Sequence, residues 1–213
     1  MTRHCTILGL PLQAGTGRGG CLMGPDAFRT AGLGDVVTSQ GFGLSDLGDL
    51  PFPTDIPEVS GPTHLKKLSE IVAWTRDIQS RAAELAAQDT FPIFIGGDHS
   101  MAAGTLTGVA QAAAAVGRPQ FVLWLDAHPD MNTLTSTVSG HLHGTPMAYA
   151  LGMTSFDGIF PPVPAPSLAP RISKNSRKLW HGHVTFKAAL LNLQPKKLSR
   201  SSLVAIIRWR QVH

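Results

Sequence analysis

Two short apolar runs that each lead into a polar cluster constrain the fold of this 213-residue chain more than any other feature. Residues 91–95 are followed at once by Gly-Gly-Asp-His, and residues 121–125 are followed at once by Asp-Ala-His-Pro-Asp. Continuous apolar strands separated by helical segments are typical of a parallel sheet with helices on both faces. The sequence therefore predicts an α/β fold.

The other predicted elements continue this alternation of strand and helix. Hydrophobic spacing and glycine or proline breaks predict strands at residues 5–10 and 43–48, and helices at about residues 24–40, 64–88 and 101–116. In open parallel sheets, ligands bind beyond the carboxyl ends of the strands. Both polar clusters fall at such ends, so we expect the functional site there.

The composition is that of a globular protein. The chain is 43% hydrophobic and 15% charged, no apolar run is long enough to cross a membrane, and the first residues lack a signal-peptide pattern. We therefore expect a cytoplasmic protein that does not contact a membrane. Cys5 and Cys21 are too few for a disulfide framework or a zinc module, and we interpret them as reduced structural thiols.

Charge is distributed very unevenly along the chain. Residues 1–157 hold all 14 acidic residues and 8 of the 18 Lys and Arg, whereas residues 158–213 hold the other ten and no acid. A basic segment of this kind can contact nucleic acid or anionic membrane. It carries neither a regular nucleic-acid-binding motif nor aromatic platforms, so we do not expect nucleic-acid binding, although a partner bound through this segment stays one alternative.

The alternation of strand and helix ends near residue 161. A proline-rich stretch follows, then weak helical spacing at residues 186–193 and an apolar run at residues 203–207. We therefore divide the chain into a partial α/β domain, residues 1–160, and a basic, acid-free tail of unrelated character, residues 161–213. Disorder is one interpretation of the tail, and a shifted reading frame or an alternative end is one hypothesis for its origin.

The cluster after residues 121–125 indicates a metal site. Asp126, His128 and Asp130 alternate at a spacing of two, so in an extended chain all three would project to one side. Mixed carboxylate and imidazole ligands suit Mn²⁺, with Co, Fe, Ni and Zn left open. His99 follows the neighbouring predicted strand, and Asp98 could orient a ligand imidazole or cap the next helix. A polar loop with one helix cap is the simpler alternative.

Three motifs, in this order, resemble the signature of the arginase-type ureohydrolases. They are GGDHS at residues 96–100, DAHPDMNT at residues 126–133 and TVSGHLHGTP at residues 137–146. With the N-terminal segment, the resemblance covers roughly residues 4–160. It implies an arginase-like three-layer sandwich with a mainly parallel sheet, and an enzyme with two Mn²⁺ that splits L-arginine into L-ornithine and urea. It also implies a homo-oligomer, a trimer or a hexamer.

The resemblance assigns metal ligands residue by residue. His99, Asp126 and Asp130 match ligands of the first metal, while His128 and the shared Asp126 match ligands of the second. His143 matches the histidine that shuttles protons in the family, which agrees with the chemistry of an imidazole near neutral pH. The residues that match groups holding the substrate's α-carboxylate by neutral hydrogen bonds are Asn132, Thr137 and Ser139.

Two departures from the family pattern stand out. His141 occupies a position where the family usually has Asn. The family's later Asp-x-Asp motif, which completes both metal shells, has no counterpart because no Asp or Glu follows Asp157. We do not expect His181 and His183 to replace it, since a neutral imidazole cannot bridge two ions. We therefore predict weak metal binding and impaired catalysis.

Other functions remain open from the sequence. The chain could be a non-catalytic ureohydrolase remnant that associates with a complete paralogue through the shared sheet. It could also be another guanidino or formimino hydrolase, because the family's region that holds the α-amino group is lacking here.

Overall fold

The computed structural model describes residues 4–118, 120–163, 187–191 and 203–207. Its first sheet has three parallel strands: β1 His4–Leu10 lies in the middle, between β2 Gly43–Asp49 and β3 Phe91–Gly96. Every residue of β1 after His4 is buried, as expected for an apolar central strand. The strands predicted at residues 5–10, 43–48 and 91–95 are confirmed to within one residue at each end.

The helix predicted at residues 24–40 is instead two short helices, α1 Gly24–Thr30 and α2 Leu33–Ser39. Gly32 separates them with φ 84°, a left-handed conformation that interrupts a helix and that glycine adopts without steric cost. The prediction of one continuous helix was therefore wrong.

The two long helices, α3 Leu68–Ala86 and α4 Met101–Ala115, pack against each other. Glycines allow the close approach, because a Cβ at Gly104 would lie 2.7 Å from Ile78 Cβ. α3 begins after Lys67, whose φ of 55° is left-handed, and this turn explains why the helix starts later than the predicted residue 64. The apolar face of α3 forms the core with β1, including Ile71, Trp74 and Ile78.

The second sheet is built on β4 Phe121–Asp126, which lies between β5 Lys187–Leu191 and β6 Leu203–Ile207. β4 is antiparallel to β5 and parallel to β6. The helical spacing predicted at residues 186–193 was wrong, since residues 187–191 form a backbone ladder with β4. The rest of the tail, including His181 and His183, lies outside the described residues.

The predicted α/β class with a mainly parallel sheet is confirmed. Its strands, however, form two three-stranded sheets, and within the described residues β3 and β4 do not hydrogen-bond to each other. A short helix, α5 Pro146–Ala150, follows and packs on α4. Over the described ranges, none of the helices has the length and apolar character needed to span a bilayer.

Candidate metal centre

Three buried side chains converge where β3 and β4 end. His99 follows β3 by three residues, Asp126 is the last residue of β4, and Asp130 lies four residues further on. His99 Nδ1 is 2.7 Å from Asp130 Oδ2 and 3.1 Å from Asp126 Oδ2. The three ligand atoms all lie within 4.8 Å of one another. The predicted meeting of the two polar clusters at one site is therefore present in the structure.

This cluster fits a divalent cation. His99 Nδ1 and Asp130 Oδ2 are close but are not aligned as a hydrogen bond, and neither atom has a hydrogen-bond partner among the described residues. Buried polar atoms in that state are costly unless another group satisfies them. One imidazole nitrogen and two carboxylate oxygens are a donor set that Mn²⁺ and neighbouring transition metals accept.

Opposing effects act on the His99 imidazole. Burial lowers its pKa, but contact with the carboxylates of Asp126 and Asp130 outweighs burial and raises the pKa above its ordinary value. The two carboxylates therefore favour positive charge at the His99 ring.

Asp130 reaches the site through a left-handed turn. Its φ is 46°, a conformation that is uncommon outside glycine and that Asp tolerates better than most residues. Its carbonyl oxygen accepts hydrogen bonds from Met147 N at 3.1 Å and Ala148 N at 3.4 Å, at the start of α5. The segment from Asp126 to Asp130 is therefore not extended, and it is the loop after β4 that brings the Asp130 carboxylate to the site.

His128 lies beside the cluster and outside it. Its side chain is 59% exposed, with Nδ1 3.5 Å from Asp126 Oδ1, and its backbone N donates to the same oxygen at 2.9 Å. Asp126 thus presents one oxygen toward His99 and the other toward His128. The structure brings His99, Asp126 and Asp130 together and leaves the His128 ring at the rim.

Trp124 supports the site from within β4. Its ring stacks on His99, with centroids 4.6 Å apart and planes at 21°, and its Nε1 donates to the His128 carbonyl at 3.1 Å. In the sequence, Trp124 stands out only as part of an apolar strand. An indole N–H in a buried strand needs an acceptor nearby, and that requirement was the signal for its role.

Asp98 fastens a neighbouring loop to the end of β3. Its Oδ2 accepts hydrogen bonds from Gly15 N at 2.7 Å and Thr16 N at 3.0 Å. Its Oδ1 accepts from Ser100 N at 2.9 Å and from the Ser100 hydroxyl, just before α4. Asp98 thus binds the turn that precedes α4, whose N-cap Ser100 makes no side-chain cap hydrogen bond, and within the described residues it does not hydrogen-bond the His99 ring.

His143, the predicted proton shuttle, is held by the loop that Asp98 fastens. Its Nδ1 donates to the Gly15 carbonyl at 3.0 Å, which leaves Nε2 as the ring nitrogen that can exchange a proton. The His141 ring lies 6.0 Å away, centroid to centroid.

The three predicted carboxylate-binding residues lie in the segment that joins Asp130 to His143. Asn132 is exposed, and its backbone N donates to the Gly144 carbonyl at 3.1 Å. The Thr137 hydroxyl donates to the His141 carbonyl at 3.2 Å, and Ser139 Oγ accepts from His141 N at 3.3 Å. Both hydroxyls are therefore already engaged with the backbone of His141.

Fold and site together define an α/β protein with a buried cluster of one histidine and two carboxylates at the carboxyl ends of two strands. A sequence model of a protein family, described as "Arginase family", matches residues 3–164 of this chain. The chain therefore belongs to the arginase family.

Individual relatives agree with this assignment. The chain is 55% identical to an arginase of Agrobacterium fabrum (strain C58 / ATCC 33970), over 77% of this chain and 50% of the relative. It is 52% identical to an arginase of Brucella melitensis, over 76% of this chain and 53% of the relative. A crystal structure of arginase from Bacillus subtilis matches with a TM-score of 0.60 and 35% identity, covering 70% of this chain and 47% of that one. The chain thus spans about half the length of the curated relatives it matches.

Proposed function

We propose that this chain is an arginase-type hydrolase that splits L-arginine into L-ornithine and urea with Mn²⁺ as its metal. The observation that carries the proposal is the buried convergence of His99, Asp126 and Asp130, in a chain of the arginase family. A hydrophobic core alone does not require a histidine and two carboxylates at one buried point.

The residues divide into two metal sites. His99, Asp126 and Asp130 would hold one Mn²⁺, and His128 with the second oxygen of Asp126 would hold another. Divalent metals bound in such a pair supply Lewis acidity, which lowers the pKa of water to near neutral. The position of Asp126 between the two imidazoles supports this division.

The segment that follows Asp130 would bind the substrate's carboxylate and supply the proton donor. The Ser139 hydroxyl accepts a hydrogen bond from His141 N and keeps its own proton to donate to the substrate's carboxylate, and the exposed side-chain amide of Asn132 would donate to it as well. Thr137 stays a predicted carboxylate contact, although its own proton is donated to the His141 carbonyl. His143, with Nδ1 committed to the Gly15 carbonyl, would pass a proton through Nε2 to the leaving amine.

Manganese titration of the purified chain, followed by urea release from L-arginine, tests the proposal. Asp130→Asn should abolish metal-dependent urea release, since it removes one anionic ligand. Asp89→Asn is the matched control, because Asp89 is exposed and precedes β3 at its other end, and this variant should behave as the parent. Equal turnover by the two variants would contradict the assignment of Asp130.

We further propose that metal affinity is weak and turnover low. No Asp or Glu follows Asp157, so only three carboxyl or imidazole groups converge in the described site, and affinity for hard divalent metals depends on the number of anionic ligands. At sub-saturating Mn²⁺, metal analysis should find fewer than two Mn²⁺ per chain, because the proposed second site, with His128 and one oxygen of Asp126, fills only at high Mn²⁺.

A second candidate function is a non-catalytic family member that binds one metal. The observation that favours it is the exposed ring of His128, which stands apart from the other three residues. One tightly bound metal per chain without urea release would support this candidate over the enzyme.

Assembly and location are proposed on the same basis. We propose a trimer or hexamer in the cytoplasm, and light scattering after size-exclusion chromatography measures the oligomeric state. A sharp monomer peak at all protein concentrations would contradict the oligomer.

We also propose that residues 1–160 form the α/β unit and that residues 161–213 are a tail of unrelated character, whose described parts, β5 and β6, pair with β4. All ten basic residues after residue 157 lie in that tail, so limited trypsin treatment should cut there first. Protection of the whole tail, including the parts between β5 and β6, would contradict this division.

A further inference from the structure

A lysine and a histidine meet beside the proposed substrate-binding segment. Lys66 Nζ lies 3.2 Å from His141 Nε2. An ammonium group has only donors, so Lys66 donates and the ring nitrogen of His141 accepts, which requires a neutral imidazole with its proton on Nδ1. Burial, Lys66 and His143 lower the pKa of His141 and so favour that neutral form.

The backbone around Lys66 is fixed to the same segment. Lys66 N donates to the Gly140 carbonyl at 2.9 Å, and a Cβ at Gly140 would overlap the His64 carbonyl oxygen. On the other side, a Cβ at Gly17 would lie only 2.7 Å from His141 Cε1. The pair is thus held between the loop before α3 and the glycine-rich loop after β1, next to His143.

Lys66 brings a positive charge that no carboxylate neutralises. Over the described residues Lys66 forms no ion pair, whereas its neighbour Lys67 lies 3.6 Å from Glu70. One ammonium proton goes to His141 Nε2, and two donors remain for a ligand. A held cation of this kind at the edge of a site attracts anions.

One of the neutral hydrogen-bond donors predicted to bind the carboxylate is already engaged within the protein. Thr137 is buried and donates its only hydroxyl proton to the His141 carbonyl, so in this arrangement it can accept a hydrogen bond but cannot donate one to a carboxylate. A carboxylate that enters here therefore lacks one of the three predicted donors, whereas Lys66 contacts the ring of the same His141 and keeps donors for a ligand.

We propose that Lys66 binds the carboxylate of the amino-acid substrate and that His141 positions it. This inference rests on the function proposed above and names a specificity-determining residue for it. It makes the site selective for a guanidino compound that carries a carboxylate over the same compound without one.

Binding of L-arginine and of agmatine, its analogue without the carboxylate, tests the inference by calorimetry on the full-length, manganese-loaded chain. Lys66→Met should weaken L-arginine binding by about tenfold, the loss expected for one charged hydrogen bond, and leave agmatine binding unchanged. Lys66→Arg should retain most of the affinity, because it keeps the charge. Lys67→Met is the matched control and should bind both compounds as the parent does.

His141→Ala tests the positioning role. Without the acceptor on His141 the ammonium loses its fixed place, so L-arginine binding should weaken by about threefold, less than for Lys66→Met, with agmatine unaffected. An effect of either variant that is equal for the two compounds would overturn the inference, and so would an unchanged affinity of Lys66→Met for L-arginine.

Urea release measured on the same samples separates the two proposals. Binding of L-arginine that depends on Lys66, without urea release, would support the inference and overturn the enzymatic function. Urea release with an unchanged preference for L-arginine in Lys66→Met would overturn the inference and leave the function standing. A parent chain that binds no L-arginine would overturn the inference.

Discussion

The imidazole of His99 lies stacked on the indole of Trp124, with ring centroids 4.6 Å apart. The same indole donates its Nε1 proton to the His128 carbonyl at 3.1 Å. One side chain of β4 therefore holds two histidines that the sequence places in different motifs.

Substitution of Trp124 should separate these two contacts. Trp124→Phe keeps a ring beneath His99 and loses the hydrogen bond, so we expect unfolding free energy to fall by about 1 kcal/mol. Trp124→Leu also loses the stacking and leaves a cavity at a fully buried position, and a loss of about 3 kcal/mol or more is expected. Urea denaturation measures both values. Manganese affinity should fall more in Trp124→Leu; an equal fall in both variants would show that stacking contributes nothing.

Manganese affinity should decrease as pH falls through the raised pKa of His99. A protonated imidazole cannot ligate, so proton and metal compete for the same nitrogen. Calorimetric titrations between about pH 6 and about pH 8.5 measure the change. An affinity that is constant over this range would contradict His99 as a ligand.

The stability of the metal-free chain should decrease as pH rises, whereas manganese affinity should increase. Because the folded-state pKa of His99 is raised, its protonated form stabilises the fold, and this contribution is complete below the ordinary pKa near 6.5. It is lost as pH rises through the folded-state value. His99→Asn should lose this pH dependence, which denaturation of the metal-free protein at several pH values would reveal.

Arg29 should stabilise the fold chiefly above acid pH. It pairs with Asp46 at 2.8 Å and Asp49 at 2.6 Å and so joins α1 to β2. Hydrogen bonding to Arg29 lowers the pKa of Asp46 below 3.8, so the stabilisation is present above that ordinary value and is lost as pH falls through the folded-state pKa. Arg29→Met should cost about 1 kcal/mol at neutral pH, because these pairs are partly exposed and screened. The cost should vanish in acid, and an undiminished cost there would contradict the electrostatic explanation.

Gly140→Ala should lower the free energy of unfolding much more than Gly117→Ala. Gly140 has φ 69° and an added Cβ would overlap the His64 carbonyl oxygen, whereas Gly117 has φ 64° and no atom within 4 Å of an added Cβ. Gly117→Ala therefore measures backbone strain alone, about 1 kcal/mol. Gly140→Ala adds a steric clash, so we expect a loss of 3 kcal/mol or more, roughly, by thermal denaturation. Equal losses would contradict the clash.

Much of the first sheet could be predicted from the sequence, because β1 and β3 are short apolar runs and glycines and prolines mark where the strands end. The prediction of one helix at residues 24–40 was wrong because Gly32 is left-handed and divides the segment into two helices. The helical interpretation of residues 187–191 was wrong for a different reason. These residues form a strand by pairing with β4, and local hydrophobic spacing does not encode such pairing.

The candidate site was predictable to the extent that strand ends determine it. His99 and Asp126 each follow from a strand end, at β3 and β4, and Asp130 follows from its closeness to Asp126 in the sequence. The exclusion of the His128 ring depends on the turn at Asp130, and the contact between Lys66 and His141 joins residues 75 positions apart. Such contacts arise from tertiary packing, so they cannot be predicted from a single sequence.

The left-handed turn at Asp130 links the cluster around His99 to the start of α5. Its carboxylate faces His99 while its carbonyl receives the first amides of α5, Met147 N and Ala148 N. Any force that draws the carboxylate toward a cation also tightens the acceptor for these amides. Amide hydrogen exchange at Met147 and Ala148 should therefore slow as manganese binds, and α5 becomes a reporter of occupancy that lies outside the ligand set.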